Sequence, residues 1–319
     1  MAAKRTSPAG GKPAPGASAR PPSGGRAAAS RKAAQKQAAA QRALAAERGR
    51  HRQLLLVGGT VALVVMVVAV LVAIKVTAGP STPASGTQNG AASQQVTDAV
   101  TGVPPAVLDK IGAGTIAHPP TVLTGAALTA DGKPRVLYVG AEYCPYCAAE
   151  RWALAVALSR FGTLTGLGAV SSSSTDVYPD TATLSFHGAS YASNYLSLTA
   201  KEIEGTQVVG SSYAPLDTLD PADQTLFQSI GGGSFPFVDI GGRYAVSGAS
   251  YDPSVLQGKT HAQIAAALSD PSSPIATAVD GTANVLTAAL CQLTGGQPGD
   301  VCTTSGVVAA TKSLATGGG

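Results

Sequence analysis

Arg135-Val136-Leu137-Tyr138-Val139-Gly140-Ala141-Glu142-Tyr143-Cys144-Pro145-Tyr146-Cys147 is the stretch whose reading decides the fold. The apolar run Val136 to Val139 reads as a buried strand. It gives way to helical spacing from Pro145 to Phe161, which turns Trp152, Val156 and Leu158 toward the sheet. Proline suits the first helical turn because its missing N–H would have no partner there. Two cysteines separated by a Pro-Tyr pair at such a turn can close a disulfide. The first would lie where free backbone N–H groups and the helix dipole favour thiolate over thiol. The chemistry indicated is redox, with Cys144 as nucleophile. An inert disulfide and half of a zinc site are the other readings, although zinc wants four ligands and Cys291 and Cys302 lack the short second spacing of a zinc ribbon.

Working outward, Gly166 to Ser172 reads as the next strand and completes a strand-helix-strand unit. Thr181 to Phe186 is a further extended piece, and Tyr191 to Gly210 fits strand and helix equally. Asp220 to Ile230 reads as a short helix capped by Asp220, with Pro221 at its first position. Phe235 to Ile240, Gly241-Gly242 and Arg243 to Val246 form a hairpin pattern, with Pro236 at its start. Thr260 to Leu268 and Ile275 to Leu293 read as helices, the second ending near Gly295-Gly296.

This order of strand, Cys-Pro-Tyr-Cys, helix, strand, proline-started hairpin and terminal helix resembles the thioredoxin superfamily over about residues 130–270. In particular the chain resembles a membrane-anchored group catalogued only as a domain of unknown function. The resemblance implies that Cys144 attacks, Cys147 resolves and Pro236 is the cis-proline facing the sulfurs, with Tyr143, Tyr146 and Phe235 as substrate contacts. Cis bonds are essentially confined to X-Pro, which makes Phe235-Pro236 eligible. The implied activity is thiol-disulfide exchange, without cofactor or metal. The chain departs from the family where a buried acid commonly precedes the first cysteine by six residues: that position is Tyr138, and the aromatic directly before the pair is Tyr143 rather than Trp. Glu142 reads as a solvated loop charge, with a catalytic part as the lesser alternative.

The charge is divided. Residues 1–53 hold twelve Lys or Arg against one acid, Glu47, whereas residues 54–319 hold ten bases and seventeen acids. Leu54 to Ile74 is an uncharged apolar run of 21 residues, enough to span a bilayer as a helix. Basic flanks stay cytoplasmic, so residues beyond the span are expected outside. A cleaved signal peptide is the rival reading; the long polar lead and the long apolar core argue for a retained anchor. The expected organisation is a basic disordered cytoplasmic tail at 1–53, a transmembrane helix at 54–74, a flexible linker at 75–100 and an extracytoplasmic domain at 101–315. The fold class expected is α/β, a thioredoxin-like fold with extra C-terminal helices, preceded by a single transmembrane helix and a disordered tail.

All four cysteines fall after the apolar run, and of three possible pairings proximity favours Cys144 with Cys147 and Cys291 with Cys302. Glycines and Pro298 between the latter two allow a reversal, so a structural disulfide is the plainer reading there. His118, His187 and His261 have no paired spacing for a metal, and Gly231-Gly232-Gly233 lacks the Lys-Ser/Thr of a phosphate loop. No aromatic residue interrupts the basic tail, which argues for lipid association over nucleic acid. The expected partners are exported cysteine-containing proteins, a membrane or extracytoplasmic redox partner and the lipid bilayer. A thioredoxin-fold binding module that keeps Cys144–Cys147 as a permanent disulfide is the alternative.

Overall fold

In chain order, the computed structural model describes residues 90–316. Strand β1 (Gly90–Ala91) leads into helices α1 (Gln94–Thr101) and α2 (Pro105–Ile111). Strands β2 (Thr121–Val122), β3 (Thr129–Ala130) and β4 (Lys133–Gly140) precede α3 (Pro145–Ser159). Then come β5 (Gly162–Thr165), β6 (Gly168–Ser171), β7 (Ala182–Ser185), β8 (Ser190–Ser193) and β9 (Ser197–Glu202). The hairpin β10 (Glu204–Val209) and β11 (Ser212–Pro215) is followed by α4 (Pro221–Ser229), β12 (Phe237–Ile240) and β13 (Tyr244–Ser247). A 3₁₀ turn at Pro253–Leu256 precedes α5 (His261–Ala267), α6 (Pro274–Leu293), α7 (Gly299–Cys302) and α8 (Ser305–Thr316).

β4 is the spine. β12 runs antiparallel on one side of it, β9 runs parallel on the other, and β13 and β2 extend the sheet beyond β12. Alternation then sorts its side chains: Val136 and Tyr138 enter the main core, and Leu137 and Val139 join Phe227 and Phe237 on the opposite face. Burial on both faces explains why β4 is an unbroken apolar run. α4 is pinned against that second face by Asp223, whose carboxylate accepts two hydrogen bonds from Arg135 at 2.6 and 3.1 Å. The Asp131-Gly132 turn into β4 has both φ angles positive, 53° and 71°, as a type I′ hairpin turn requires.

The main core is built around α3, which is buried along almost its whole length and packs on α6, β7 and β5. Trp152 is fully enclosed and donates its indole N–H to the Ala182 carbonyl at 3.1 Å. α6 in turn lies against α8 and α2, and α1 contributes Val96 and Val100 to the same core. Where the segment after α2 crosses α6, the backbones nearly touch. A Cβ at Gly281 would come within 2.6 Å of the Gly114 Cα and 2.7 Å of the Ala113 carbonyl oxygen.

The expected fold class is corrected in two respects. Gly168–Ser171 does not lie beside β4; it joins the antiparallel sheet β1-β6-β7, and the parallel partner of β4 is β9. β9 reads Ser-Leu-Thr-Ala-Lys-Glu and has a sheet neighbour on one side, so its position tolerates polar residues that hide a strand signal. Among the described residues the architecture is mixed α/β with four sheets in which antiparallel pairing dominates. Secondly, no helix among the described residues is long and apolar enough to cross a membrane. The 20-residue α6 has the length, yet it carries Asp280, Asn284 and Gln292. The expected localisation as a single-pass membrane protein is therefore not supported; the tail at 1–53 and the run at 54–74 lie outside the described residues.

Candidate functional site

Cys144 is the N-cap of α3. Where a Ser or Asp oxygen would ordinarily receive the free N–H groups of the first turn, its sulfur accepts from the Cys147 N–H at 3.4 Å. Pro145 follows in the first turn and sets the helical φ. Cys144 is 8% exposed, and Cys147, one turn along, is fully buried. Both are free thiols, packed with Ala141 and flanked by Tyr143 and Phe235.

The two sulfurs are electrostatically unequal. The Cys147 S–H donated to Cys144 does most to draw the Cys144 thiol down, to about 7, against the opposing effect of burial. The Cys147 and Tyr146 N–H groups and the charge of Arg151 act in the same direction. Cys147 is pushed well up, first by burial and then by its bond to Cys144. This asymmetry favours the thiolate at Cys144 and the protonated thiol at Cys147.

Phe235-Pro236 is a cis peptide bond, and the Pro236 carbonyl accepts from the Gly248 N–H at 2.9 Å. Phe235 is in the shell around the cysteines. Tyr143 stacks face to face on Tyr213 of β11, with centroids 3.9 Å apart. Burial foremost, then the neighbouring Glu204, pushes the Tyr143 phenol up to about 12. Tyr146 projects outward, 41% exposed, with Tyr178 edge-on at 5.9 Å. Cys144, Cys147, Tyr143 and Phe235 thus share one cluster, and Tyr146 borders it from the exposed side.

Beneath the cysteines lies a charged network that the sequence reading did not identify. Arg151 is fully buried; its Nε donates to Glu202 Oε1 at 2.7 Å and to the Tyr138 hydroxyl at 3.0 Å, and its Nη2 donates to Glu202 Oε2 at 2.9 Å and to the Ala141 carbonyl at 2.6 Å. Glu202 is brought to Arg151 by β9, the parallel neighbour of β4, and Tyr138 is a third member of the network. Burial pushes the Glu202 carboxyl up and Arg151 opposes that shift. The available signal was the Glu150-Arg151 pair in the middle of an otherwise apolar helix, where unpaired charges are not tolerated.

Glu142 also differs from its reading as a solvated loop charge. It is buried and accepts the Ser185 hydroxyl at 2.6 Å, because β7 and the start of β10 cover it. Glu150, fully buried, accepts the Ser250 N–H at 2.9 Å and ties α3 to the loop after β13; burial pushes its carboxyl up to about 7. His187 pairs with Asp217 at 2.9 Å. Among the described residues no group of three His, Cys, Asp or Glu side chains is placed to hold a metal ion.

The other two cysteines are joined: a disulfide links Cys291 near the end of α6 to Cys302 at the end of α7, with Cα atoms 5.6 Å apart.

No curated protein and no solved structure matches the chain. Residues 120–216, which hold both Cys144 and Cys147 together with Arg151 and Glu202, are similar to a family described as a domain of unknown function (DUF929).

Proposed function

We propose that the chain is a thiol-disulfide oxidoreductase acting on cysteine-containing proteins through Cys144 and Cys147, with Pro236, Phe235, Tyr143 and Tyr146 around the reacting sulfurs. The observation that carries this reading is the N-cap position of the Cys144 sulfur, with the protonated, enclosed Cys147 directly behind it. The local resemblance to the thioredoxin superfamily, in the Cys-Pro-Tyr-Cys turn and the proline before β12, supports it.

In the reductive direction the Cys144 thiolate attacks one sulfur of a substrate disulfide. A Cys144–substrate bond forms, the substrate S–S bond breaks, and one substrate thiolate leaves. Cys147 then loses its proton and attacks the Cys144 sulfur, which closes Cys144–Cys147 and releases the second substrate thiolate; two electrons have passed to the substrate. The Arg151 charge favours the Cys147 thiolate in that second step, and Glu202 is the neighbouring carboxylate able to take its proton. The oxidative direction is the same sequence reversed, and turnover either way requires a second dithiol or disulfide protein as redox partner.

Trapping tests the proposal. Cys147→Ser is expected to accumulate mixed disulfides through Cys144, seen as thiol-sensitive bands on non-reducing gels, while Cys144→Ser accumulates none. Absence of trapped species from both would refute exchange. The near-complete burial of Cys144 favours one second reading, a binding module whose Cys144–Cys147 bond is permanent. A pair potential below about −300 mV would identify that module, and one well above it an exchanger.

A further inference from the structure

Beside the cysteines lies a cavity of about 400 Å³ whose walls include Tyr146, Tyr178, Tyr251, Gly248, Asp252 and His118. Two of its wall residues relate it to the cysteines and to Pro236. Tyr146 stands between Cys144 and Cys147, and Gly248 donates its N–H to the carbonyl of Pro236.

The floor is fixed from below. Ser250 is bonded to Glu150, and the Tyr251 hydroxyl donates to the Ala149 carbonyl at 2.7 Å, so the loop is tied to α3 at two points. Those bonds occupy the polar end of Tyr251 and its ring packs in the main core, so the rings open to the cavity are those of Tyr146 and Tyr178. Tyr178 is similarly committed, its hydroxyl donating to Asp252 Oδ1 at 3.3 Å and its ring standing edge-on to Tyr146. Asp252 is exposed and caps the following 3₁₀ turn through the Ser254 N–H at 2.9 Å. That N–H first, then the Ser254 side chain, holds the carboxyl below its usual range. No Lys or Arg lines the cavity.

Tyrosine rings carry negative faces and attract cations, and an ionised carboxylate at the rim adds a charge with no Lys or Arg beside it. We infer that this cavity is a recognition subsite for a Lys or Arg side chain in the polypeptide segment flanking the substrate cysteine. The inference rests on the thiol-disulfide reading of Cys144 and Cys147 and adds a substrate preference to it. It selects among substrates by charge, through residues that exchange chemistry does not itself require.

The test uses the full reduced chain and three disulfide-linked peptides that differ only in the residue beside the cysteine: Lys, Leu or Glu. Each reduction rate is divided by the rate of the same peptide with dithiothreitol, so that the peptide's own sulfur reactivity cancels. The Lys peptide is expected to exceed the Glu peptide by roughly tenfold, as one exposed cation–π contact plus one exposed ion pair provide. Asp252→Asn, which keeps a capping side chain, is expected to lower the ratio to about threefold, the share of the cation–π contact, and Asp252→Lys to invert it. A ratio unchanged by Asp252→Asn, or a Leu peptide faster than the Lys peptide, would overturn the subsite while leaving exchange intact. Failure of all three peptides to be reduced, together with failure of the oxidised chain to oxidise their thiols, would instead refute the exchange reading. Ser-for-Cys versions, measured by fluorescence anisotropy, then decide the subsite on charge preference alone.

Discussion

Cys144 and Cys147 begin a helix, whereas Cys291 lies within three residues of the end of one. At the first location N–H groups converge on sulfur and favour its charge; at the second the backbone presents carbonyls, and Gly296 N–H already serves the Cys291 carbonyl at 2.8 Å. The connections differ in kind as well. Pro145 and Tyr146 hold the first pair within one turn, while Gly295, Gly296 and Pro298 reverse the chain so that Cys302 returns to Cys291. The first pair carries free thiols of unequal acidity and the second a closed bond. Where a cysteine lies along its helix therefore bears on whether its sulfur suits exchange or cross-linking.

That contrast breaks most readily at Cys144. Cys144→Ser is expected to abolish disulfide exchange, a loss of at least about a thousandfold as for a nucleophile that acts as part of a unit, whereas Cys302→Ser should leave the exchange rate on a small disulfide within twofold or so. Next in size, Arg151→Met strands Glu202 as a buried charge and should cost about 3–5 kcal/mol in urea unfolding, of which the double change Arg151→Met/Glu202→Leu recovers most. An unchanged midpoint in the single variant would show that the pair is not held dry. Opening the second pair with Cys302→Ser should cost about 3 kcal/mol, the chain entropy of an eleven-residue separation, again read from the urea midpoint. Smallest is the pH response. Iodoacetamide labelling of Cys144 should rise with pH and reach half its maximum near 7, because the thiolate reacts and the thiol does not, while Cys147 stays unlabelled until the protein unfolds. A midpoint near 8.5, the ordinary thiol value, would remove the asymmetry between the two sulfurs.

Where the chemistry was local the chain could be read. β4, α3, the Asp220-capped α4, the β12–β13 hairpin with its Gly241-Gly242 turn, and α5 and α6 all carry their signals within a few residues. The Asp131-Gly132 turn into β4 carried one too and went unread. Long-range partners were less legible. β9 is polar and one-sided, so nothing in its periodicity reveals that it pairs with β4, and with β9 unplaced Glu202 could not be brought to Arg151. β6 misled for the opposite reason: a short apolar run after a helix suggests a parallel strand, yet of its four residues only Val170 is buried. The cavity wall was out of reach as well, since Tyr146 on α3 and Tyr178 and Asp252 in loops are spread over more than a hundred residues.

The close crossing of Gly281 over Gly114 bears on how variation in this chain should be interpreted. Even a methyl group would separate two backbones that now lie in contact, so saturation libraries ought to return glycine at 281 almost exclusively. Such intolerance would speak of clearance between two segments and not of chemistry. Sequence profiles that rank positions by constancy would place it beside Cys144, although only Cys144 is proposed to meet a substrate.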